Sequence, residues 1–406
     1  MNSLGVYISI PFCRSKCSYC NFASGVYAAG ALEKYTELLI ADIRSVRARL
    51  KASGACIPDQ ADSVYFGGGT PSTLPSAALR SIFSALRNEF DITGDAEITV
   101  ECAPGKIDDG FLQAMVECGV NRASFGVQSF VDREAAVTGR LHNRETALRD
   151  LNRMREAGVA RVNVDLIAGL PHQAADSWQE SLETLASTGA GHASIYMLEV
   201  DEDSRLGKEL LTGGVRYHAG SVPSDDQVAE FYSAAVEFLG SQGLKQYEIS
   251  NFALPGMESL HNEKYWLRHP YLGFGLDAHS MLRSAEGQAV RFETTDELEV
   301  WLHQPDRRKY HWLSRRQELE EAWFLGLRRV AGVSRVDLHE EFGGTATEPY
   351  DQMVDGLVEA GLLALEGDRA RLTARGRLLS NEVFGRFLEL SEEDASQDEQ
   401  VAVEIT

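Results

Sequence analysis

Strand-like and helix-like segments alternate through the first half of the chain, and this alternation restricts the fold more than any other feature. Short β-branched or aromatic runs are each followed by a longer amphipathic stretch. We predict strands at 6–12, 63–66, 97–101, 122–127, 162–168 and 192–198, with helices at 32–51, 76–88, 109–118, 144–157 and 176–187. Parallel strands joined by helices form α/β sheets. The expected fold is therefore α/β, a partial (β/α)6 barrel of the TIM type, whose chemistry gathers at the carboxyl ends of the strands.

The pattern changes after about residue 200. We assign residues 1–225 to the barrel, including a Gly-, Asp- and Ser-rich stretch at 201–223 that is interpreted as a long loop or lid. Residues 226–313 would complete or link the barrel, with a helix at 225–241, a strand at 246–252 and a mostly irregular part at 254–312.

A different module is predicted at residues 314–388. It has helices at 315–330 and 348–360, a hairpin at 362–373 and a final helix at 374–388, which together suggest a winged-helix-like α+β module. The tail at 389–406 has seven acids and no basic residue and is expected to be disordered.

The composition limits the class of partner. The chain has 406 residues and a formal net charge of −22, which argues against a nucleic-acid partner because phosphates need clustered basic residues. We expect no signal peptide, and no apolar run approaches the roughly 20 residues of a membrane span. Six cysteines in such a chain indicate reduced thiols. We therefore expect a cytoplasmic location, with peripheral association with an inner membrane as a further option.

Three of the cysteines form a C-x3-C-x2-C motif near the start of the chain: Cys13, Cys17 and Cys20. Three thiolates on one loop can hold three irons of a cubane [4Fe–4S] cluster, and the fourth iron is then open to S-adenosylmethionine. The alternative is a set of buried or zinc-binding thiols, but a structural zinc site usually has two spaced ligand pairs and no second pair exists here. The scattered Cys56, Cys102 and Cys118 are expected to be core thiols.

A glycine run follows the second predicted strand as Gly67-Gly68-Gly69-Thr70-Pro71. Residues without a Cβ let the backbone approach a ligand closely, although such a run can also mark only a tight turn. Polar side chains recur near the ends of the later strands, namely Glu101, Gln128, Arg140 and Asp165. A charged group inside a barrel is costly to bury unless it is paired, so we expect a ligand, with an Asp165–Arg140 salt bridge as the alternative.

These motifs together resemble the radical S-adenosylmethionine superfamily. More narrowly, the chain resembles the oxygen-independent coproporphyrinogen III dehydrogenases and the related haem chaperones of HemW type, from Tyr7 through the C-terminal module. The resemblance rests also on Gly126-Val127-Gln128-Ser129 and on Asp165-Leu166-Ile167-Ala168-Gly169-Leu170-Pro171. It implies that one or two S-adenosylmethionine molecules are bound by the residues at the family's positions, here Tyr7, Tyr19, Gly68, Gly69, Thr70, Glu101, Gln128, Arg140 and Asp165.

Two features separate the subfamilies. The dehydrogenases carry a further cysteine where this chain has Phe22, and the chaperones carry an H-N-x-x-Y-W motif that is intact here at residues 261–266. The resemblance implies a haem site that includes His261, Tyr265 and Trp266. A histidine can ligate haem iron and aromatic rings can stack on a porphyrin, but a packed aromatic turn is the alternative. His279 is a second candidate ligand, although Leu276-Asp277 before it departs from the family's usual Gly-Ala.

We therefore expect a chaperone that binds haem and delivers it to apo-haemoproteins, such as respiratory enzymes at a membrane, with a homodimer as one expected assembly. The main alternative is a coproporphyrinogen III dehydrogenase that decarboxylates propionates through radical chemistry. A third is a winged-helix regulator that senses the cluster, which the acidic C-terminal module disfavours.

Overall fold

The computed structural model describes residues 3–28 and 30–388. The chain divides into two compact units. The first holds the residues up to Gln246 together with Ser250–Lys264 and His269–His311; the second holds Tyr247–Ile249, Tyr265–Arg268 and the residues from Trp312 onward. The predicted boundary at residue 225 lies inside the first unit, and the assignment of 1–225 and 226–313 as separate regions stays a prediction.

The first half of the chain forms the predicted alternation of strands and helices. Its elements are β1 (Leu4–Ile10), α1 (Ala31–Ser53), β2 (Ala55–Cys56), β3 (Gln60–Gly68), α2 (Ser76–Glu89), β4 (Asp91–Cys102), α3 (Asp109–Glu117), β5 (Arg122–Gln128), α4 (Asp132–Val137), α5 (Arg144–Glu156), β6 (Arg161–Ala168), α6 (Ala175–Ser187) and β7 (His192–Met197). Strands β1, β3, β4, β5, β6 and β7 are neighbours in that order and all run parallel. The predicted six-stranded parallel sheet is therefore confirmed.

Local sequence signals explain where these helices begin and end. The side chain of Asp108 accepts the Phe111 N–H at 2.7 Å at the start of α3, and Asn143 forms a capping box with Thr146 at the start of α5. Gly119 and Gly158 follow α3 and α5 with φ of 79° and 91°. Left-handed backbone is available to glycine without a Cβ penalty, so both helices end where a strand must begin.

The following elements are α7 (Arg205–Thr212), α8 (Asp225–Ser241), β8 (Lys245–Gln246), β9 (Asn251–Ala253), α9 (Leu260–Trp266), β10 (Tyr271–Phe274), β11 (His279–Ser284), β12 (Ala289–Glu293), α10 (Leu298–His303) and β13 (Lys309–Trp312). The prediction of a loop over 201–223 is wrong for α7 and for a 3₁₀ turn at Ala219–Ser221. Ser204 caps α7 by accepting the Gly207 N–H at 2.9 Å. One strand was predicted at 246–252, but β8 and β9 are two short antiparallel strands.

Residues 254–312 are not irregular, and this prediction is wrong. Strand β10 pairs in parallel with β1, and β11 and β12 continue the sheet as antiparallel neighbours. Each of these strands has only four to six residues. Such short runs show little periodicity of their own, and they are ordered by pairing with the existing edge of the sheet.

The second unit has its own core. Its helices and strands are α11 (Arg315–Gly326), β14 (Val333–Ser334), α12 (Arg335–Phe342), α13 (Gly344–Glu359), β15 (Leu363–Glu366), β16 (Arg369–Leu372) and α14 (Ala374–Leu378), and residues 380–388 are also helical. The ring of Trp323 stacks on Phe387 with centroids 5.3 Å apart. The predicted hairpin is confirmed, since Leu363 to Glu366 pair with Leu372 to Arg369.

The second unit has helices followed by a hairpin, which is the element order on which the winged-helix prediction rests.

The predicted disordered tail at 389–406 lies outside the described residues. No helix among residues 3–28 and 30–388 is both long and apolar enough to cross a membrane.

Candidate functional site

A cavity of about 570 Å³ opens in the first unit at the carboxyl ends of the parallel strands. Its wall includes side chains from the loop after β1 and from the ends of β3 to β7. Most of the residues predicted from the sequence lie around it, namely Cys13, Cys17, Cys20, Tyr19, Gly68, Gly69, Thr70, Glu101, Gln128, Arg140 and Asp165. In parallel α/β folds this edge of the sheet is where ligands bind.

The cysteine loop is tied down on both sides of the motif. The Cys13 N–H donates to the Gly25 carbonyl at 2.8 Å, and the Gly25 N–H donates to the Pro11 carbonyl at 2.9 Å. The Ser18 N–H donates to the Thr138 carbonyl at 3.0 Å. These bonds satisfy backbone groups of an otherwise irregular loop, so the three thiols are presented to the cavity by a defined backbone.

The donor set suits a cluster better than a single ion. Within residues 3–28 and 30–388, no group of three or more His, Cys, Asp or Glu side chains is arranged to hold one metal ion. A single ion needs all its thiolates at about 2.3 Å from one point. In a cubane cluster each thiolate binds a different iron, so the sulfurs are spread apart. Cys13, Cys17 and Cys20 all line the cavity, which fits the second arrangement.

The glycine run lets the loop after β3 lie against the cysteine loop. A Cβ on Gly69 would lie 2.8 Å from the Pro11 carbonyl carbon and 3.0 Å from Sγ of Cys13. Gly68 has φ of 101°, in the region where side chains are strained. The hydroxyl of Thr70 donates to Sγ of Cys13 at 3.6 Å. The glycine run therefore allows the loop after β3 to pack closely against the cysteine loop, beside the thiols.

Two carboxyl groups are buried in the wall of the cavity. Burial and the nearby Asp165 raise the pKa of Glu101 to about 7, although its Oε1 accepts a hydrogen bond of 2.9 Å from the hydroxyl of Tyr65. Burial also raises the pKa of Asp165, whose Oδ1 accepts a hydrogen bond from Asn163 at 2.7 Å. Buried carboxyl groups with raised pKa values beside a cavity are typical of functional sites.

Arg140 and Gln128 face the same space with unused hydrogen-bonding atoms. Nη1 of Arg140 lies 3.8 Å from Sγ of Cys17, and Nη2 donates to the Gly126 carbonyl. Nε of Arg140 and Oε1 of Gln128 are buried without a hydrogen-bond partner. Asp165 is not in ion-pair contact with Arg140 in the described chain, so the salt bridge considered from the sequence is not formed. Unpartnered buried polar atoms around a cavity indicate a missing ligand.

Tyrosines form a second layer behind this wall. Tyr7 is not part of the cavity lining; its ring lies 6.1 Å from that of Tyr65 and would contact a Cβ placed on Gly67 at 3.1 Å. Sequence reasoning missed Tyr65, which holds Glu101, and Tyr196 of β7, which lines the cavity. The signal for Tyr65 was its position two residues before the glycine run, on the same strand.

The H-N-x-x-Y-W motif lies on α9 and is divided between the two units, with His261 in the first and Tyr265 and Trp266 in the second. His261 is only 1% exposed, its Nδ1 lies 2.9 Å from Oγ of Ser63, and its ring stacks on Tyr65 at 5.2 Å. It does not line the cavity. The aromatic packing that was considered as the alternative is present, and the haem role of His261 stays a prediction.

The two aromatic residues of the motif pack within the second unit. The guanidinium of Arg328 lies over the Trp266 ring at 4.4 Å from its centroid, and the rings of Tyr265 and Trp266 are 6.2 Å apart at 69°. Indole faces attract cations in this way. The structure therefore gives Trp266 a protein partner, and its predicted contact with a porphyrin is untested.

His279, the second candidate ligand, is 61% exposed at its side chain. A hydrogen bond to Asp277 raises the pKa of His279, with a further contribution from Glu293, whose carboxylate lies 3.5 Å from Nδ1. A protonated imidazole does not ligate iron, so these acidic neighbours disfavour metal binding there.

The chain was compared with known proteins. The family model of the Radical SAM superfamily matches residues 7–185, and that of the HemN C-terminal domain matches residues 313–379. The chain is 33% identical over 386 residues to the protein named "Heme chaperone HemW" of Bacillus subtilis, covering 94% of this chain and 98% of that protein. It is 32% identical over 380 residues to the mitochondrial "Radical S-adenosyl methionine domain-containing protein 1" of Mus musculus, covering 89% and 82%.

A solved structure has the same fold. Coproporphyrinogen III oxidase (HemN) from Escherichia coli superposes with a TM-score of 0.80 at 23% identity, covering 95% of this chain and 90% of that one. A radical SAM domain implies a [4Fe–4S] cluster and S-adenosylmethionine, and the thiols and unpartnered polar atoms of the cavity fit both. With a relative above 30% identity over almost its entire length, the chain belongs to the HemW family of radical SAM proteins.

Proposed function

We propose that this protein is a haem chaperone, which binds haem and passes it to apo-haemoproteins in the cytoplasm or at a membrane surface. The observation that carries the proposal is the 33% identity to a heme chaperone over 98% of that protein's length. It is supported by the intact motif at 261–266 and by Phe22, which stands where the dehydrogenases of the family have a further cysteine.

Cys13, Cys17 and Cys20 would hold the [4Fe–4S] cluster. Such a cluster supplies electrons to S-adenosylmethionine when it is bound. Glu101 and Asp165 would accept hydrogen bonds from the cationic and ribose groups of S-adenosylmethionine, and Arg140 would donate to its carboxylate. These roles suit the chemistry of the side chains, since carboxylates only accept and guanidinium only donates.

The remaining predicted residues would surround the same ligand. The backbone of Gly68, Gly69 and Thr70 would approach it closely, Gln128 would use its unpartnered Oε1, and Tyr19 would close the side next to the cysteines. Tyr7 would act through packing, because it stands behind the glycine run.

Haem was predicted to be held by His261, Tyr265 and Trp266. Burial lowers the pKa of His261 to about 3, so its imidazole is neutral and chemically able to ligate iron. Its 1% exposure means that haem could reach it only after α9 moves. The aromatic residues would then lie next to it along the helix.

The experiment that tests the proposal compares two activities of one preparation. Anaerobically reconstituted protein is titrated with haem and then mixed with an apo-haemoprotein, while a parallel sample receives coproporphyrinogen III, S-adenosylmethionine and a reductant. We expect haem binding and transfer without decarboxylation. Turnover of coproporphyrinogen by protein that binds no haem would instead identify a dehydrogenase.

A further inference from the structure

Two imidazoles face each other at the carboxyl end of the sheet, outside the residues assigned so far. Nε2 of His172 lies 3.1 Å from Nδ1 of His218, with ring centroids 4.9 Å apart and planes at 64°. His172 stands in the turn after β6, and His218 follows α7. Residues 198–201, which follow β7, line the cavity, so the pair lies at the same end of the sheet.

Both histidines have a left-handed backbone, with φ of 68° at His172 and 59° at His218. Such φ values are uncommon outside glycine and persist when the surroundings impose them. The His172 N–H donates to the Ser221 carbonyl at 2.8 Å. The Glu209 carboxylate accepts the N–H groups of Tyr217 at 2.8 Å and Ala219 at 3.1 Å. The two rings are therefore placed by an organised backbone.

The hydrogen bond between the rings leaves one nitrogen of His218 available. Its Nδ1 faces His172, and Nε2 has no hydrogen bond within the described part of the chain. Histidines that ligate metals typically bind through one ring nitrogen and donate the other N–H to a neighbouring acceptor, which fixes tautomer and orientation. Nε2 of His172 is such an acceptor.

Apolar side chains in the segment that precedes His218 are exposed. Leu210 and Leu211 on α7 are 55% and 64% exposed, and Val215 is 87% exposed. Concentrated apolar exposure marks a surface that binds another molecule. The same stretch carries the acidic residues Asp201, Glu202, Asp203 and Glu209 and the basic residues Arg205, Lys208 and Arg216, and Lys208 lies 3.7 Å from Asp203. The segment therefore combines a potential iron ligand with exposed apolar side chains.

Haem fits this combination better than a free metal ion does. A single ion needs three or more protein ligands, and within residues 3–28 and 30–388 no group of three or more His, Cys, Asp or Glu side chains is arranged to hold one. A porphyrin brings four nitrogen ligands of its own, so one imidazole is sufficient. Its flat apolar face matches the exposed leucines and valine, and Arg216, next to Val215, offers a cation to one of its two carboxylates.

We propose that His218 ligates haem iron through Nε2, that His172 positions it, and that Leu210, Leu211 and Val215 contact the porphyrin. This inference rests on the proposed haem-chaperone function and assigns the iron contact to a residue other than His261. His218 is only partly buried and lies outside α9, whereas His261 is 1% exposed.

The test uses full-length protein with its cluster reconstituted, titrated with haem and followed by Soret absorbance. His218→Asn removes the imidazole but suits a left-handed backbone, and we expect haem affinity to fall by about tenfold or more. His172→Asn should weaken binding less and shift the spectrum and reduction potential of the bound haem, which a purely structural role would not do. His303→Asn, an exposed histidine at the end of α10, is the matched control and should bind like wild type.

Leu211→Glu provides a second variant that alters only an exposed side chain, and we expect it to weaken haem binding with the cluster spectrum unchanged. Wild-type affinity in both His218→Asn and Leu211→Glu would overturn the inference. Loss of haem binding in His261→Ala with unchanged S-adenosylmethionine affinity, together with wild-type haem affinity in His218→Asn, would also overturn it, while leaving the chaperone function intact. Absence of haem binding by wild type would instead contradict the proposed function itself.

Discussion

Nδ1 of His261 lies 2.9 Å from Oγ of Ser63, and its ring stacks on Tyr65. Tyr65 in turn donates its hydroxyl to Oε1 of Glu101 at 2.9 Å. Tyr65 therefore connects His261 of the motif to Glu101 in the wall of the cavity. A change at His261 is expected to reach Glu101 through this packing, so loss of haem binding in a His261 variant must be read together with its affinity for S-adenosylmethionine.

Replacing Cys17 by alanine should abolish the cluster. Each of the three cysteines would bind a separate iron, so two thiolates would leave the cubane underligated. The measurement is the visible absorbance and iron content of anaerobically reconstituted protein. Cys118→Ala is the matched control, because Cys118 is also buried but follows the end of α3 and does not line the cavity, and it should retain the cluster. An intact cluster in Cys17→Ala would refute the assignment.

Binding of S-adenosylmethionine should strengthen as the pH rises through about 7. The pKa of Glu101 is raised to about 7, so its carboxylate forms only above that pH and can then attract the cationic ligand. Calorimetry at pH 6 and pH 8 measures the effect. Glu101→Gln should flatten this dependence and cost about 1.5–3 kcal/mol of binding at pH 8. Equal affinity of wild type at both values would contradict the role of Glu101.

Ionisation of Glu101 should lower the stability of the folded protein, although it strengthens ligand binding. Because the folded-state pKa is above the unfolded value, the folded protein holds the proton more tightly, and this contribution to stability is present at low pH and lost as pH rises from about 4.5 through 7. Glu101→Gln should therefore raise the free energy of unfolding at pH 8 by up to about 3 kcal/mol and change it little at pH 4. Urea unfolding at the two pH values gives the comparison.

A methyl group on Gly126 should disturb Arg140. The Cβ of Gly126→Ala would overlap Nη2 of Arg140, which donates to the Gly126 carbonyl. We expect a destabilisation of about 1–3 kcal/mol and weaker S-adenosylmethionine binding. Gly240→Ala on α8 has open space around its Cβ and should be neutral or slightly stabilising. Unchanged ligand affinity in Gly126→Ala would show that Arg140 is not needed for binding.

The buried ion pair of Lys264 should contribute to stability of the barrel. Nζ of Lys264 lies 2.6 Å from Oδ1 of Asp62 and 2.8 Å from the Ser3 carbonyl, and the lysine side chain is 2% exposed. Asp62 is 26% exposed, so water reaches one side of the pair, and Asp62→Asn, which leaves the ammonium without a counter-charge, should cost about 1–3 kcal/mol. Lys309→Met, on an 85% exposed side chain, is the control and should change stability little. Chemical denaturation measures both variants.

Much of the fold was predictable because its signals are local. The helix at 76–89 has a clear apolar face, the helix at 225–241 begins with a capping box of Ser224 and Gln227, and the six parallel strands are each followed by a helix. Strands β10 to β12 could not be predicted in this way. They are short and are stabilised by pairing beside β1, a contact between residues more than 260 positions apart.

The location of the cavity was also predictable, because parallel strands bring their carboxyl ends to one edge of the sheet. The cysteine spacing, the glycine run and the polar residues at strand ends are all encoded within short stretches of sequence. The topology of the sheet then brings these residues together around one cavity.

The sequence by itself thus determined the parallel sheet, the cysteine loop and the family to which the chain belongs. Only the tertiary structure decided that His261 is buried on Ser63, that Tyr65 holds Glu101 and that His218 meets His172. Periodicity shows that a residue lies on a helix or strand, but its burial and partners depend on which distant segment packs against it. That choice is made by contacts across the whole fold, which no short stretch of sequence contains.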